Sequence, residues 1–220
     1  MMRQLRLCCI CLLAFLLATS GALAEETTFE RLCREEKVVI ADAQAWLEIP
    51  GTNVFHPVMQ HAQDDAYYLD HDAQGNSDNY GALYTESVYN TFGFDDPVTV
   101  IYGHRMNNGS MFGTLQKYYS GNFEKYRSVY LHMPDGERRE YTVFAAVIQS
   151  NLHILHYNNF YSPRVFTRYF NDVYSTRKLG IVLDEQMRPQ PGDKVIILST
   201  CIKGDSNLRY LVMAKLNENQ

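Results

Sequence analysis

Residues 193–216 read DKVIILSTCIKGDSNLRYLVMAKL: two apolar runs flank a polar loop, a lone Cys closes the first run, and an Arg follows eight residues later. Val195 to Leu198 is continuously apolar, the pattern of a strand buried on both faces. Cys201 comes as that run gives way to IKGDSN, which reads as a loop, and LRYLVMAKL returns as a second strand. Joined in hairpin fashion, the two strands bring Cys201 and Arg209 to the same end. A guanidinium there would stabilise negative charge on the sulfur and hold the oxyanion of a tetrahedral intermediate. Taken alone, a surface ion pair is the lesser alternative for Arg209.

Working outward, residues 49–220 read as a series of short strands separated by turn residues. NVFHPVM (53–59), AYYL (66–69), YGALYT (80–85) and PVTVIYG (97–103) come first. SVYLHM (128–133) and REYTVFAAVIQ (139–149) precede the final pair. Eight strands with frequent turns argue for a mainly β fold, a small barrel or sandwich. Two helices interrupt the series. SMFGTLQKYY begins at a candidate Ser110 cap, and SPRVFTRYFNDVY (162–174) offers Ser at the N-cap and Pro at the first helical position. Phe166, Tyr169, Phe170 and Val173 form one apolar stripe on the second helix. Residues 25–48 read as an N-terminal helical segment. TTFE (27–30) is a capping box, and Phe29, Leu32, Cys33, Ile40, Ala43 and Leu47 recur at helical spacing as far as the Pro50-Gly51 breaker.

Residues 1–24 read as an export segment: Arg3 and Arg6, then LCCICLLAFLLA, then ALA before Glu25 and Glu26. A cleaved signal peptide and an uncleaved membrane anchor both fit, since roughly 17 apolar residues suffice to span a bilayer. Either reading puts the rest of the chain outside the cytoplasm. The formal net charge of −5 gives no basic stripe for nucleic acid, and losing the two leader arginines takes it to 18 − 25 = −7. Three of the five cysteines lie in the leader. Cys33 and Cys201 remain, too few for a disulfide framework. Cys33 reads as a small apolar residue on a helix face, with a Cys33–Cys201 bridge as the alternative.

A catalytic thiol needs a proton partner. His56, His61, His71, His132, His153 and His156 have no distinguishing neighbours. His104 follows an apolar strand and opens a polar, Gly-containing loop, a usual place for a working side chain. The loop at 70–81, DHDAQGNSDNYG, starts like a Ca²⁺ loop, but its twelfth position is Gly81 rather than Glu, so it reads as a solvated polar loop.

YGHRMNNGSMFGTLQKY and DKVIILSTCIKGDSNLRYLVMAKL resemble the two signature regions of sortases, of class B in particular. WLEIPGTNVFHPVMQ, YYLDHD and YGALYTE, and the helix at 162–174, are similar to the same class. The likeness covers about residues 46–216. The resemblance implies a closed eight-stranded barrel with an N-terminal helix and a helix inserted before the last two strands. It also implies a cysteine transpeptidase of Gram-positive cell surfaces, with Cys201 as nucleophile, His104 as general acid/base and Arg209 as the oxyanion and substrate-positioning group. Thr200 is the implied contact to the substrate backbone. The implied partners are surface proteins with a C-terminal sorting motif cleaved after Thr, and an acceptor amine from a peptidoglycan precursor or a pilin; no metal or organic cofactor is implied. A hydrolytic cysteine peptidase and a non-catalytic peptide-binding barrel are the alternatives. One departure is the leader, which looks cleavable where sortases usually keep an anchor.

Overall fold

A computed structural model describes residues 25–120 and 122–217; the expected export segment at 1–24 lies outside them. Among the described residues no helix is long and apolar enough to cross a membrane. Among the described residues nine strands form one sheet: β1 Ala43–Glu48, β2 Phe55–Met59, β3 Leu83–Tyr84, β4 Val98–Tyr102, β5 Ser128–His132, β6 Arg138–Ser150, β7 Val182–Leu183, β8 Val195–Ile202 and β9 Asp205–Leu216. Their order is β5-β1-β2-β3-β4-β8-β9-β6-β7. A further β5–β6 pairing, from Ser128 opposite Thr142 to His132 opposite Arg138, closes eight of them into a barrel. The short β7 pairs with β6 beyond that closure, Ala145 opposite Leu183.

Two helices cover the barrel from outside, and this explains the apolar runs. In β8, Ile196 and Leu198 face the interior with Leu47, Val58, Ile101, Leu131 and Val212. Val195 and Ile197 point outward beneath α3, Pro163–Ser175, whose Phe166, Phe170 and Val173 also cover Phe144 and Met213. Every position of β8 from Val195 to Thr200 is therefore buried. The stripe on α3 is the one its helical spacing predicts, and each fully buried Phe there contributes roughly 2 kcal/mol. A short helix α2, Ile154–Tyr157, precedes α3 in the same insertion.

The N-terminal helix α1 is shorter than its periodicity predicts. It starts at the expected capping box, with Thr27 Oγ1 accepting from Glu30 N and the Glu30 carboxylate accepting from Thr27 N. It spans Thr28–Glu35 and not the whole of 27–47. Lys37 turns left-handed at φ 56°, Val38 N–H bonds the Cys33 carbonyl and Lys37 N–H the Arg34 carbonyl. This is a Schellman ending built without the usual Gly. The chain then becomes β1, whose Ala45 and Leu47 enter the barrel while Trp46 packs outward against Phe29, Leu32 and Cys33. Burial on both faces hides the strand's two-residue period.

Other boundaries also move. AYYL is no strand: Tyr67–Leu69 is a 3₁₀ turn that buries Tyr68 beside α1, with its hydroxyl donating to Asp42 at 2.7 Å. SMFGTLQKYY is a 3₁₀ helix at Phe112–Ser120, and the Ser110 hydroxyl donates to Asn108 instead of capping it. The IKGDSN loop shrinks to a two-residue turn at Lys203-Gly204, with Gly204 at φ 84°, the left-handed conformation that Gly adopts without steric cost. The loop at 70–81 folds on its own carboxylates: Asp72 accepts from Gln74 N and Asn76 N, and Asp78 from Tyr80 N. Among the described residues no group of His, Cys, Asp or Glu stands together to hold a metal ion.

Candidate active site

Three neighbouring strands assemble the site. β4 runs parallel to β8 with Tyr102 opposite Ser199, and the ladder continues one step as Gly103 N–H bonds the Ser199 carbonyl at 3.1 Å. His104 follows at once, just past the end of β4. On the other side of β8, Cys201 is the direct antiparallel partner of Arg209 in β9. Thiol and guanidinium thus share one rung, on strands about 4.8 Å apart, and the imidazole enters from the end of the third strand. All three line one small cavity of about 110 Å³ with Thr200, Leu69 and the two tyrosines Tyr84 and Tyr102.

Each member is presented differently. Cys201 is exposed, one residue past the buried run, and both Cys201 and Cys33 are free; there is no bridge between them. Between Cys201 and Ile202 the register slips, so that Ile202 pairs with Asp205 and the residues after it bulge from β9. Arg209 folds over that bulge, with Nη1 donating to the Ser206 carbonyl at 2.9 Å and the Leu208 carbonyl at 3.0 Å. Those contacts hold the guanidinium at the rim and use only Nη1 among the described residues. His104 is half-buried, and its Nε2 lies 3.3 Å from the Leu69 carbonyl. A carbonyl only accepts, so Nε2 carries the proton of that bond and Nδ1 is left with its lone pair. Thr200 is 2% exposed, and its hydroxyl is buried without a hydrogen-bond partner among the described residues.

The walls are aromatic and stay neutral. The Tyr84 and Tyr102 rings stack at 5.4 Å. Burial, with the Glu86 charge adding to it and Arg209 opposing it, pushes the Tyr84 phenol up to about 12; burial also raises Tyr102. Glu86 accepts from His153 Nε2 at 2.9 Å, which ties the start of α2 to this wall.

His104, Thr200, Cys201 and Arg209, singled out in the sequence, all line this cavity. Nothing in the sequence pointed to Leu69, whose carbonyl orients the imidazole, or to Tyr84. Tyr102 sits in the same YGH triplet as His104, and that adjacency was the available signal.

A family model described as the Sortase domain matches residues 47–217, and the chain belongs to that family. Its relatives are of class B. It is 29% identical over 160 residues to sortase B of Listeria monocytogenes, a match that covers 73% of this chain and 63% of the Listeria protein. The solved structure of a Listeria monocytogenes sortase B superposes with a TM-score of 0.66 at 27% identity, covering 84% of this chain and 99% of that one. Clostridium perfringens sortase B gives 0.68 at 23% identity, covering 81% and 95%. A Streptococcus pyogenes class B sortase involved in pilus biogenesis gives 0.67 at 20%, covering 80% and 93%.

Proposed function

We propose that this protein is a cysteine transpeptidase that cleaves a C-terminal sorting motif of surface proteins after Thr and transfers the acyl group to an amine. The observation that carries the proposal is the convergence of His104, Cys201 and Arg209 on one cavity at the ends of three neighbouring strands, with the thiol free and exposed. Cys201 passes its thiol proton to the free nitrogen of His104, the resulting thiolate attacks the Thr carbonyl, and the carbonyl's electron pair moves onto oxygen beside Arg209. Collapse of the tetrahedral species breaks the C–N bond, and His104 gives its proton to the departing amine. The thioester is then attacked by an acceptor amine, His104 takes up the proton, and the sulfur leaves as thiolate. Thr200, with its unpaired hydroxyl beside the nucleophile, is assigned to the substrate backbone.

The acceptor we propose is the free amine of a peptidoglycan precursor or of a pilin, on the outer side of the cytoplasmic membrane. Residues 1–24 would export the chain and either anchor it or be removed.

The test is Cys201→Ala with a peptide of Leu-Pro-x-Thr-Gly or Asn-Pro-x-Thr type. We expect no thioester by mass spectrometry and turnover reduced at least about a thousandfold, with the fold retained. With the native protein, an added amine should shift the product from acid to amide. Turnover in the Ala variant at the native rate rejects the mechanism. A product indifferent to amine identifies a hydrolase instead.

A further inference from the structure

The residues after His104 form a closed loop. Phe112 N–H returns to the carbonyl of His104 itself at 3.1 Å, and Arg105 bridges to Met111. At the neck Met111 takes a left-handed conformation, φ 49°, which a side-chain-bearing residue adopts only under restraint. The restraint comes from another strand: Met111 N–H donates to Nε2 of His56, in β2, at 3.3 Å. An amide N–H only donates, so Nε2 is the acceptor and the proton of the neutral ring sits on Nδ1.

We infer that His56 is a positioning residue for His104, acting through Met111 and the neck of this loop, and that it works only while its imidazole is neutral. The inference deepens the transpeptidase reading and rests on it for the role of His104. The chain of contacts is short: His56 fixes the Met111 amide, the next amide, Phe112, fixes the His104 carbonyl, and Phe112 is wholly buried. A protonated ring would present a second N–H to the Met111 N–H, turning a hydrogen bond into a clash of donors.

The environment favours the neutral form. Burial lowers the folded ring's affinity for a proton below the ordinary 6.5, more than its bond to the Asn53 backbone and the Glu36 charge raise it. The ring borders a groove of about 590 Å³ whose charged lining residues are Glu36, at the end of α1, and Asp72 and Asp78 in the 70–81 loop. An unfolded ring protonates near pH 6.5 and the folded one at lower pH. The unfolded state therefore binds the extra proton between the two values. This contribution to stability is complete above about pH 6.5 and is lost as pH falls from there toward the folded value.

The experiment compares His56→Phe, which keeps a ring and removes the acceptor, with His56→Gln, whose carbonyl can take the Met111 amide. For His56→Phe we expect kcat for peptide cleavage to fall about tenfold with KM nearly unchanged, and amide exchange at Met111 and Phe112 to accelerate. His56→Gln should restore most of both and remove the acid limb that His56 adds to the native pH profile. Native kcat, pH profile and exchange in His56→Phe would overturn the inference. If His56→Phe fails to fold, exchange at Met111 in the native protein from pH 7.5 to 4.5, corrected for the intrinsic rate, decides. Protection lost on acidification supports the inference, and protection that is constant overturns it. The exchange readout does not depend on turnover, so an active His104→Ala would overturn the transpeptidase reading without being mistaken for a failure of the His56 contact.

Discussion

Cys201 and Arg209 are held by ladders, whereas His104 is held by a loop. The thiol and guanidinium form one rung of the β8–β9 hairpin, and β8 is buried on both faces from Val195 to Thr200. Their separation is set by main-chain pairing, which a single side chain hardly alters. His104 lies past the end of β4. Its place depends on the Leu69 carbonyl, the returning Phe112 amide and the anchor on His56. Two of the three groups of the proposed mechanism are thus built into rigid framework, and the one we assign to proton transfer is where small changes in packing should translate into rate.

This contrast can be broken at three points. The largest effect is expected from Arg209→Lys. It keeps the charge but loses the fork that bonds the bulge and holds an oxyanion. Turnover should fall about a hundredfold while the urea midpoint barely moves; a variant that unfolds earlier in urea would show that the guanidinium is structural. Next comes Gly113→Ala. A Cβ there would stand 2.3 Å from the Met106 carbonyl oxygen, a backbone atom inside the loop neck that cannot yield. About 1–3 kcal/mol of strain should open the loop, lowering kcat and leaving Cys201 alkylation by iodoacetamide unchanged. Equal loss of both in that assay would mean the loop and hairpin are one mechanical unit. The smallest effect is expected from Thr27→Ala, which removes the cap of α1, remote from the site. It should cost about 1 kcal/mol in urea unfolding with kcat unaltered, and a reduced kcat would extend the site's dependence to the helix.

The hairpin was legible because its run of buried residues stops one position before the thiol, and because Val98–Tyr102 and Val195–Ser199 are matching apolar strands that end in step. The α3 stripe and the capping box were equally plain. The first barrel strand was not. Ile40, Ala43 and Leu47 continue a helical spacing by coincidence, and the helix is closed by Lys37, a residue with no signature for the left-handed position it takes. His56 was invisible for a different reason. Its partner is a backbone amide 55 residues away, and nothing in the side chains at either end records a bond to main chain.

Closure of the sheet has a further consequence. β6 pairs with β9 along one side and with β5 and then β7 along the other, whereas β4 meets β3 at the single pair Tyr84–Tyr102. An extended peptide finds no free edge along the paired stretches of β6, and the thinnest pairing in the wall falls on the strand that leads to His104.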